Sequence, residues 1–166
     1  MSQEAAKEPR GHVASLHLHP AQAGKPLQTV SEITLEAGKG IVGEPRYFAR
    51  VSNSTGKPTQ RQVSLIEREQ IAEHAATLGL PGIAPGVVRS NIETEGVELG
   101  QWLGREVQVG EAVLFFYDRR TPCEKMDAIC QGLRAEMENG RQGVMAEVVK
   151  GGRVCADDAI VLCRKP

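Results

Sequence analysis

Ala112-Val113-Leu114-Phe115-Phe116-Tyr117-Asp118-Arg119-Arg120-Thr121-Pro122-Cys123-Glu124-Lys125-Met126 decides how the chain is read. Residues 112–117 are apolar, aromatic and partly β-branched, which suits a strand, and the run ends in basic residues. Met126, Ile129, Leu133 and Met137 then recur at helical spacing. Between the two, Thr121 suits an N-cap, Pro122 the first helical position, and Glu124 lies where a capping box requires an acid. This reading predicts a strand-to-helix junction with Cys123 in the first helical turn.

Two readings of Cys123 follow. Free N–H groups and the positive end of the helix dipole favour an anion there, so a thiolate gains. Arg119, Arg120 and Lys125 push the same way, and Glu124 pushes against. Such a thiolate can be a nucleophile, a persulfide carrier or a soft metal ligand. Alternatively, Cys123, Met126, Cys130, Leu133 and Met137 make one helix face, and the cysteine is packed core.

The remaining composition sets limits. The chain has 166 residues, 40% of them hydrophobic and 25% charged, which suits one domain with a sizeable core. A net charge of −1 gives no basis for non-specific binding to nucleic acid or an anionic membrane. No run approaches membrane-spanning length. Residues 1–11 read as a loose polar tail without a signal-peptide core, and residues 12–166 as the domain, so a cytoplasmic protein is expected. The cysteines at 123, 130, 155 and 163 form no Cys-x-x-Cys pair, which argues against structural zinc. On one helix Cys123 and Cys130 would lie about 10 Å apart, too far for a disulfide.

Around the junction the chain reads as short strands. Residues 13–19 alternate, with Leu16 and Leu18 on one side and His17 and His19 on the other. The His-x-His face reads as solvated, with metal binding the alternative. A second strand covers residues 30–35. Gly38-Lys39-Gly40-Ile41-Val42-Gly43-Glu44-Pro45-Arg46 is either a tight irregular loop or an anion-binding one flanked by Lys39, Arg46 and Arg50. Residues 50–61 read as a surface loop. Ser64-x-x-Glu67 offers another capping box, for a helix ending at Gly79 in which His74 is solvated. Arg89 and Asn91, two apart in a β-like run, share a face and either meet water or grip a ligand. Lys150-Gly151-Gly152 reads as a hairpin turn between residues 144–149 and 153–155. Eight or nine short strands and two helices argue for a mainly β (α+β) barrel.

Val88-Arg89-Ser90-Asn91-Ile92, Leu99-x-x-Trp102-Leu103-Gly104, Val109-Gly110-Glu111-Ala112 and Arg120-Thr121-Pro122-Cys123 follow one another in this order. With Gly143, Gly151-Gly152 and Asp157-Asp158, the series resembles the MOSC family, the domain of molybdenum cofactor sulfurase C-termini, over nearly the whole chain. The resemblance implies a distorted closed β-barrel with small helices. It implies that Cys123, the cysteine after proline, carries sulfur or ligates molybdenum of a pterin cofactor. It also places Arg89, Asn91, Lys39, Gly43, Glu44, Arg46 and Arg120 at that cofactor. Gly43-Glu44 stands where the family has Gly-Asp followed by His, and here Pro45-Arg46 follows instead. Two functions are implied. One is reduction of an N-hydroxylated or other N-oxygenated small molecule, with electrons from a partner protein. The other is a carrier that takes a persulfide on Cys123 from a sulfur-donor protein. No pyridoxal phosphate domain is expected. The oligomeric state stays open.

Overall fold

The computed structural model describes residues 10–164. Strands β1 (Arg10–Leu18), β2 (Gln28–Val30), β3 (Glu32–Glu36) and β4 (Gly40–Ile41) come first. β5 (Val63–Glu67) runs straight into helix α1 (Arg68–Thr77). β6 (Ile92–Glu95), a 3₁₀ turn (Leu99–Trp102), β7 (Glu106–Val109) and β8 (Ala112–Arg119) follow. Short helices α2 (Lys125–Ile129) and α3 (Leu133–Glu136) precede β9 (Val144–Lys150), β10 (Gly152–Cys155) and β11 (Ala159–Leu162).

Seven strands close on themselves in the order β1-β11-β7-β8-β9-β5-β6, and β6 returns to β1. This is a closed, mainly β barrel, as expected. Closure leaves the ring without an edge, and its ladders run from strand to strand all the way round. β5 and β6 pair in parallel, joined by α1 and residues 78–91, whereas the other pairs in the ring are antiparallel. Inward side chains fill the barrel: Val13, Leu16, Val63, Leu65, Ile92, Val107, Leu114, Phe116, Ala146 and Ile160 are all fully buried. Each large one contributes about 1.5–3 kcal/mol of apolar burial. Ile66, Ile71, Val88, Met126, Leu133 and Met137 form a second core, which holds α1, α2 and α3 on the barrel's outside.

Several expectations are corrected. Residues 30–35 are two strands: β2 joins β1, while β3 joins β4 and β10 in a separate small sheet. Lys150-Gly151-Gly152 is not a hairpin, because β9 pairs with β5 and β8 and β10 pairs with β3. The glycines let the chain change sheets there. Ser64 caps nothing. It lies inside β5, and Glu67 stands at the start of α1 without a side-chain cap. Gly79 does end that helix: its N–H reaches the Ala76 carbonyl and the Leu80 N–H reaches Ala75, the bond pair of a Schellman turn. Arg10 and Gly11 belong to β1, and residues 1–9 of the expected tail lie outside the described residues. No helix among the described residues is long and apolar enough to cross a membrane.

The histidines are corrected too. His17 and His74 are fully buried and His19 nearly so. The polar face of β1 does not meet water, because residues 78–91 lie across it. Gly86 sits so close that a Cβ there would be 2.9 Å from His17 Nδ1. His17 bonds Ser15 Oγ at 2.8 Å and Thr29 Oγ1 at 3.1 Å. Burial pulls its pKa down, against the pull of Glu93, so it stays neutral. His74 bonds the Arg141 carbonyl at 2.8 Å and thereby ties α1 to the segment after α3.

Gly143 is the tightest point of the barrel wall. It has φ +75°, and a Cβ on it would lie 1.9 Å from the Leu65 carbonyl oxygen. Its own carbonyl accepts the Arg120 N–H at 3.0 Å. Gly143→Ala should therefore lose more than about 2 kcal/mol of stability, read from urea unfolding. An unchanged midpoint would contradict this packing.

Candidate functional site

The site lies where β1, β5, β6 and the end of β8 meet. Its centre is the Asn91 side chain, 2% exposed. Asn91 Oδ1 accepts the Ser64 N–H at 3.1 Å and the Ser64 hydroxyl at 3.2 Å. Its Nδ2 donates to the His17 carbonyl at 3.0 Å and to Glu44 Oε2 at 3.1 Å. The Asn91 N–H reaches Ser64 Oγ at 3.0 Å, and the Asn91 carbonyl accepts the His17 N–H at 2.7 Å. One residue thus binds β1, β5 and the loop after β4.

Gly43 turns that loop, with φ +93°, and delivers Glu44 inward. Glu44 is 1% exposed. Its Oε2 accepts from the His19 N–H and pairs with His19 Nδ1 at 2.8 Å, while Oε1 has no partner. His19 Nε2 meets the Arg89 carbonyl at 3.1 Å, which assigns Nε2–H as the donor. Tyr47 packs edge-on against His19, with ring centroids 5.0 Å apart. Arg46 and Arg61 lie over the Tyr47 ring at 5.2 and 5.6 Å.

Arg120 closes the site from β8. Its Nη1 donates to Ser90 Oγ at 2.8 Å and its Nη2 to the Arg89 carbonyl at 3.2 Å. Burial pulls its pKa down to about 10; Arg61 and Arg89 add repulsion, and the neighbouring Cys123 and Tyr47 oppose the shift. The guanidinium therefore stays charged at neutral pH, in a field that an added anion relieves. His19, Glu44, Tyr47, Arg61, Gln62, Ser64, Asn91, Arg120 and Met145 line a cavity of about 20 Å³. That is room for a single water.

The expected site residues divide. Glu44, Asn91 and Arg120 meet at the cavity, and Arg46 lies at its edge over Tyr47. Arg89 and Asn91 do not share a strand face, because both precede β6 and Arg89 has φ +69°. That turn gives the Arg89 carbonyl to His19 and Arg120 and sends its Nη1 to the Lys25 carbonyl at 2.9 Å. Lys39 pairs with Glu36 at 3.2 Å and does not reach the cavity.

Cys123 is exposed and lies outside the cavity wall, within the electrostatic reach of Arg120. It is not in a helical turn. α2 begins at Lys125 and has five residues, Glu124 precedes it, and no side chain caps it. The helix breaks because Cys130 is extended and Gly132 takes φ +95°. Asp127 Oδ1 accepts the N–H groups of Gly132 and Arg134 instead, which starts α3. So the five residues from Cys123 to Met137 do not form one helix face. The positive field at Cys123 comes from Arg120 rather than from a long helix dipole.

His19, Tyr47, Arg61, Gln62 and Ser64 were not read from the sequence as site residues. Only His19 carried a signal, the His-x-His alternation. Its meaning depended on the cover that residues 78–91 provide, which no local pattern encodes.

This barrel with its proline–cysteine junction defines a class: the MOSC domain profile matches residues 17–161, and the chain belongs to that family. The YUAD protein from Bacillus subtilis is similar in fold, with a TM-score of 0.78 at 18% identity, over 96% of this chain and 99% of that one. YiiM from Escherichia coli gives a TM-score of 0.68 at 22% identity, over 95% and 71%. YiiM from Geobacillus stearothermophilus gives 0.67 at 15% identity, over 93% and 75%. No curated protein matches the sequence.

Two outcomes check this site. Asn91→Ala should lose about 2–4 kcal/mol, because it strands buried partners on β1 and β5, whereas an exposed substitution such as Glu98→Ala should change little. Equal midpoints in chemical denaturation would remove Asn91 from the centre. Among the thiols, Cys123 is exposed beside Arg120. Burial, with the neighbouring Asp158 and Glu32, pushes the Cys155 thiol up, and burial with Glu106 does the same to Cys163. Alkylation at pH 7.5, followed by peptide mass spectrometry, should label Cys123 first. Earlier labelling of Cys155 or Cys163 would contradict the placement.

Proposed function

We propose that this MOSC protein binds a molybdenum cofactor, with the Cys123 thiolate as metal ligand and the arginines around Tyr47 facing the anionic part of the cofactor. The observation that supports it is the gathering of Arg46 and Arg61 over Tyr47 and of Arg61 and Arg89 in the field of Arg120, which itself acts on the exposed Cys123. Thiolate is a soft donor that suits molybdenum, and guanidinium groups suit a phosphate.

The residues fit such a group in a second respect. Glu44 Oε1 is a buried acceptor without a partner, and a pterin ring carries N–H donors. The cavity of about 20 Å³ is too small for a pterin, so Tyr47 and Arg61 at the cavity, with Arg46 over the Tyr47 ring, would hold the group from its rim. When bound, the cofactor supplies two-electron redox chemistry at the metal. The chain's own residues do the rest. Asn91 and His19 hold Glu44 in place, Arg120 holds the 88–90 turn, and Cys123 stands on the solvent side where a small substrate arrives.

In this reading the reaction is reduction of an N-oxygenated small molecule. The four cysteines of the chain form no cluster among the described residues, so a partner protein supplies the electrons. A second reading, a persulfide carrier, draws on the exposure of Cys123, which suits hand-over of sulfur between proteins. Four unpaired thiols go with a cytoplasmic location in either reading.

Protein produced in cells that make the cofactor should carry molybdenum by elemental analysis. Cys123→Ser should lower the metal content at least about tenfold, and Cys130→Ser should leave it unchanged. A protein without molybdenum that carries persulfide on Cys123 would favour the carrier. Full metal loading of Cys123→Ser would overturn the assignment.

A further inference from the structure

Arg119 ends β8 and Arg120 follows it, and the two side chains enter different cavities. Arg120 lines the cavity described above, and Arg119 lines a separate open groove of about 700 Å³. Glu67, Glu69, Gln70, Glu73 and Glu98 line the same groove. We propose that this groove is a second binding site, which takes a ligand with an N–H-rich cation at one end and a carboxylate at the other, the chemistry of a basic amino acid.

The cationic end rests on unmatched acceptors. Glu67 is 7% exposed, and its Oε1 has no hydrogen-bond partner, while Oε2 accepts the Leu99 N–H at 3.3 Å. One helical turn on, Gln70 Oε1 is buried and equally unpartnered. Two buried acceptors in one groove call for a ligand with several N–H donors. The neighbouring carboxylates of Glu69 and Glu98 make the groove negative. Burial, then those two charges, hold the Glu67 carboxyl above the usual range, against the bonds it accepts. An unmatched carboxylate here weakens the fold, which a structural role does not explain. Glu69 and Glu73 are already engaged, with the Gly96 N–H at 2.8 Å and with Arg141 at 3.5 Å. A metal ion is not the better occupant, because no three His, Cys, Asp or Glu residues among those described converge on one point.

The anionic end rests on Arg119. Its guanidinium passes between two glycines: a Cβ on Gly100 would lie 2.9 Å from Nη1, and one on Gly140 would lie 2.7 Å from it. Bare glycines on both sides keep this path open. Among the described residues the guanidinium makes no ion pair, although four glutamates share its groove. Arg119 and Glu67 therefore do not pair directly, and the proposed zwitterion would lie along the groove that both line. Arg is suited to hold a carboxylate with two parallel bonds.

Isothermal titration of the full chain with L-arginine tests the site, with agmatine as the analogue that lacks the carboxylate. L-arginine should bind saturably at one equivalent, and agmatine about tenfold or more weakly. Glu67→Gln should weaken L-arginine about tenfold or more; its carboxamide still accepts the Leu99 N–H, and circular dichroism confirms the fold. If that variant does not fold, Glu98→Gln on the exposed rim should weaken both ligands. Arg119→Gln should bring L-arginine down to agmatine and leave agmatine unchanged. Cys123→Ser should bind like the unaltered chain, so the outcome is independent of the cofactor reading. No saturable binding of L-arginine, or binding indifferent to Glu67→Gln and Arg119→Gln, would overturn the proposal.

Discussion

The Asn91 carboxamide is the interaction on which the site depends. Its acceptor side holds β5 through Ser64, and its donor side holds β1 and Glu44. A carboxamide is the group that offers both roles at one position. An aspartate would repel Glu44, and an apolar residue would leave both strands with unmatched groups. The parallel pairing of β5 with β6 brings Asn91 beside Ser64, and closure through β1 brings His17 and His19 to the same point. Barrel topology and buried polar chemistry are thus one arrangement.

Around this centre the charges are unbalanced by design of the fold. The one buried carboxylate of the cavity, Glu44, pairs with His19 and not with an arginine. Burial lowers the pKa of Arg120, and repulsion from Arg61 and Arg89 lowers it further. A field of this kind favours an anionic guest and the thiolate of a nearby cysteine. In the groove that Arg119 lines the balance is reversed, with four glutamates around it. A single strand end thus separates a positive site from a negative groove.

The fold was legible because its strands are marked by β-branched and aromatic runs with glycine turns. β8 begins where the run at residues 112–117 begins and extends two residues past it to Arg119, and the ordered motifs pointed to a closed barrel. Boundaries failed where the chain changes sheets, at Ser31 and at Gly151, since a turn signal does not say which strand comes next to which. The helix after Cys123 failed for a local reason: apolar spacing persists through a break, because Met126, Leu133 and Met137 all reach the same core from two helices. Asn91, Glu44 and Arg120 line one cavity although they come from distant parts of the chain. Arg89 takes part through its carbonyl, and His19 and Tyr47 enter because residues 78–91 and the loop after β4 cover a polar strand face. Such covers are long-range facts that local periodicity does not carry.

The central claim is that Cys123, beside Arg120, is a ligand of the metal. X-ray absorption at molybdenum on the cofactor-loaded protein measures this most directly. The account predicts one more sulfur neighbour at the metal in the unaltered chain than in Cys123→Ser. The same sulfur count in both, with the metal present, would contradict it.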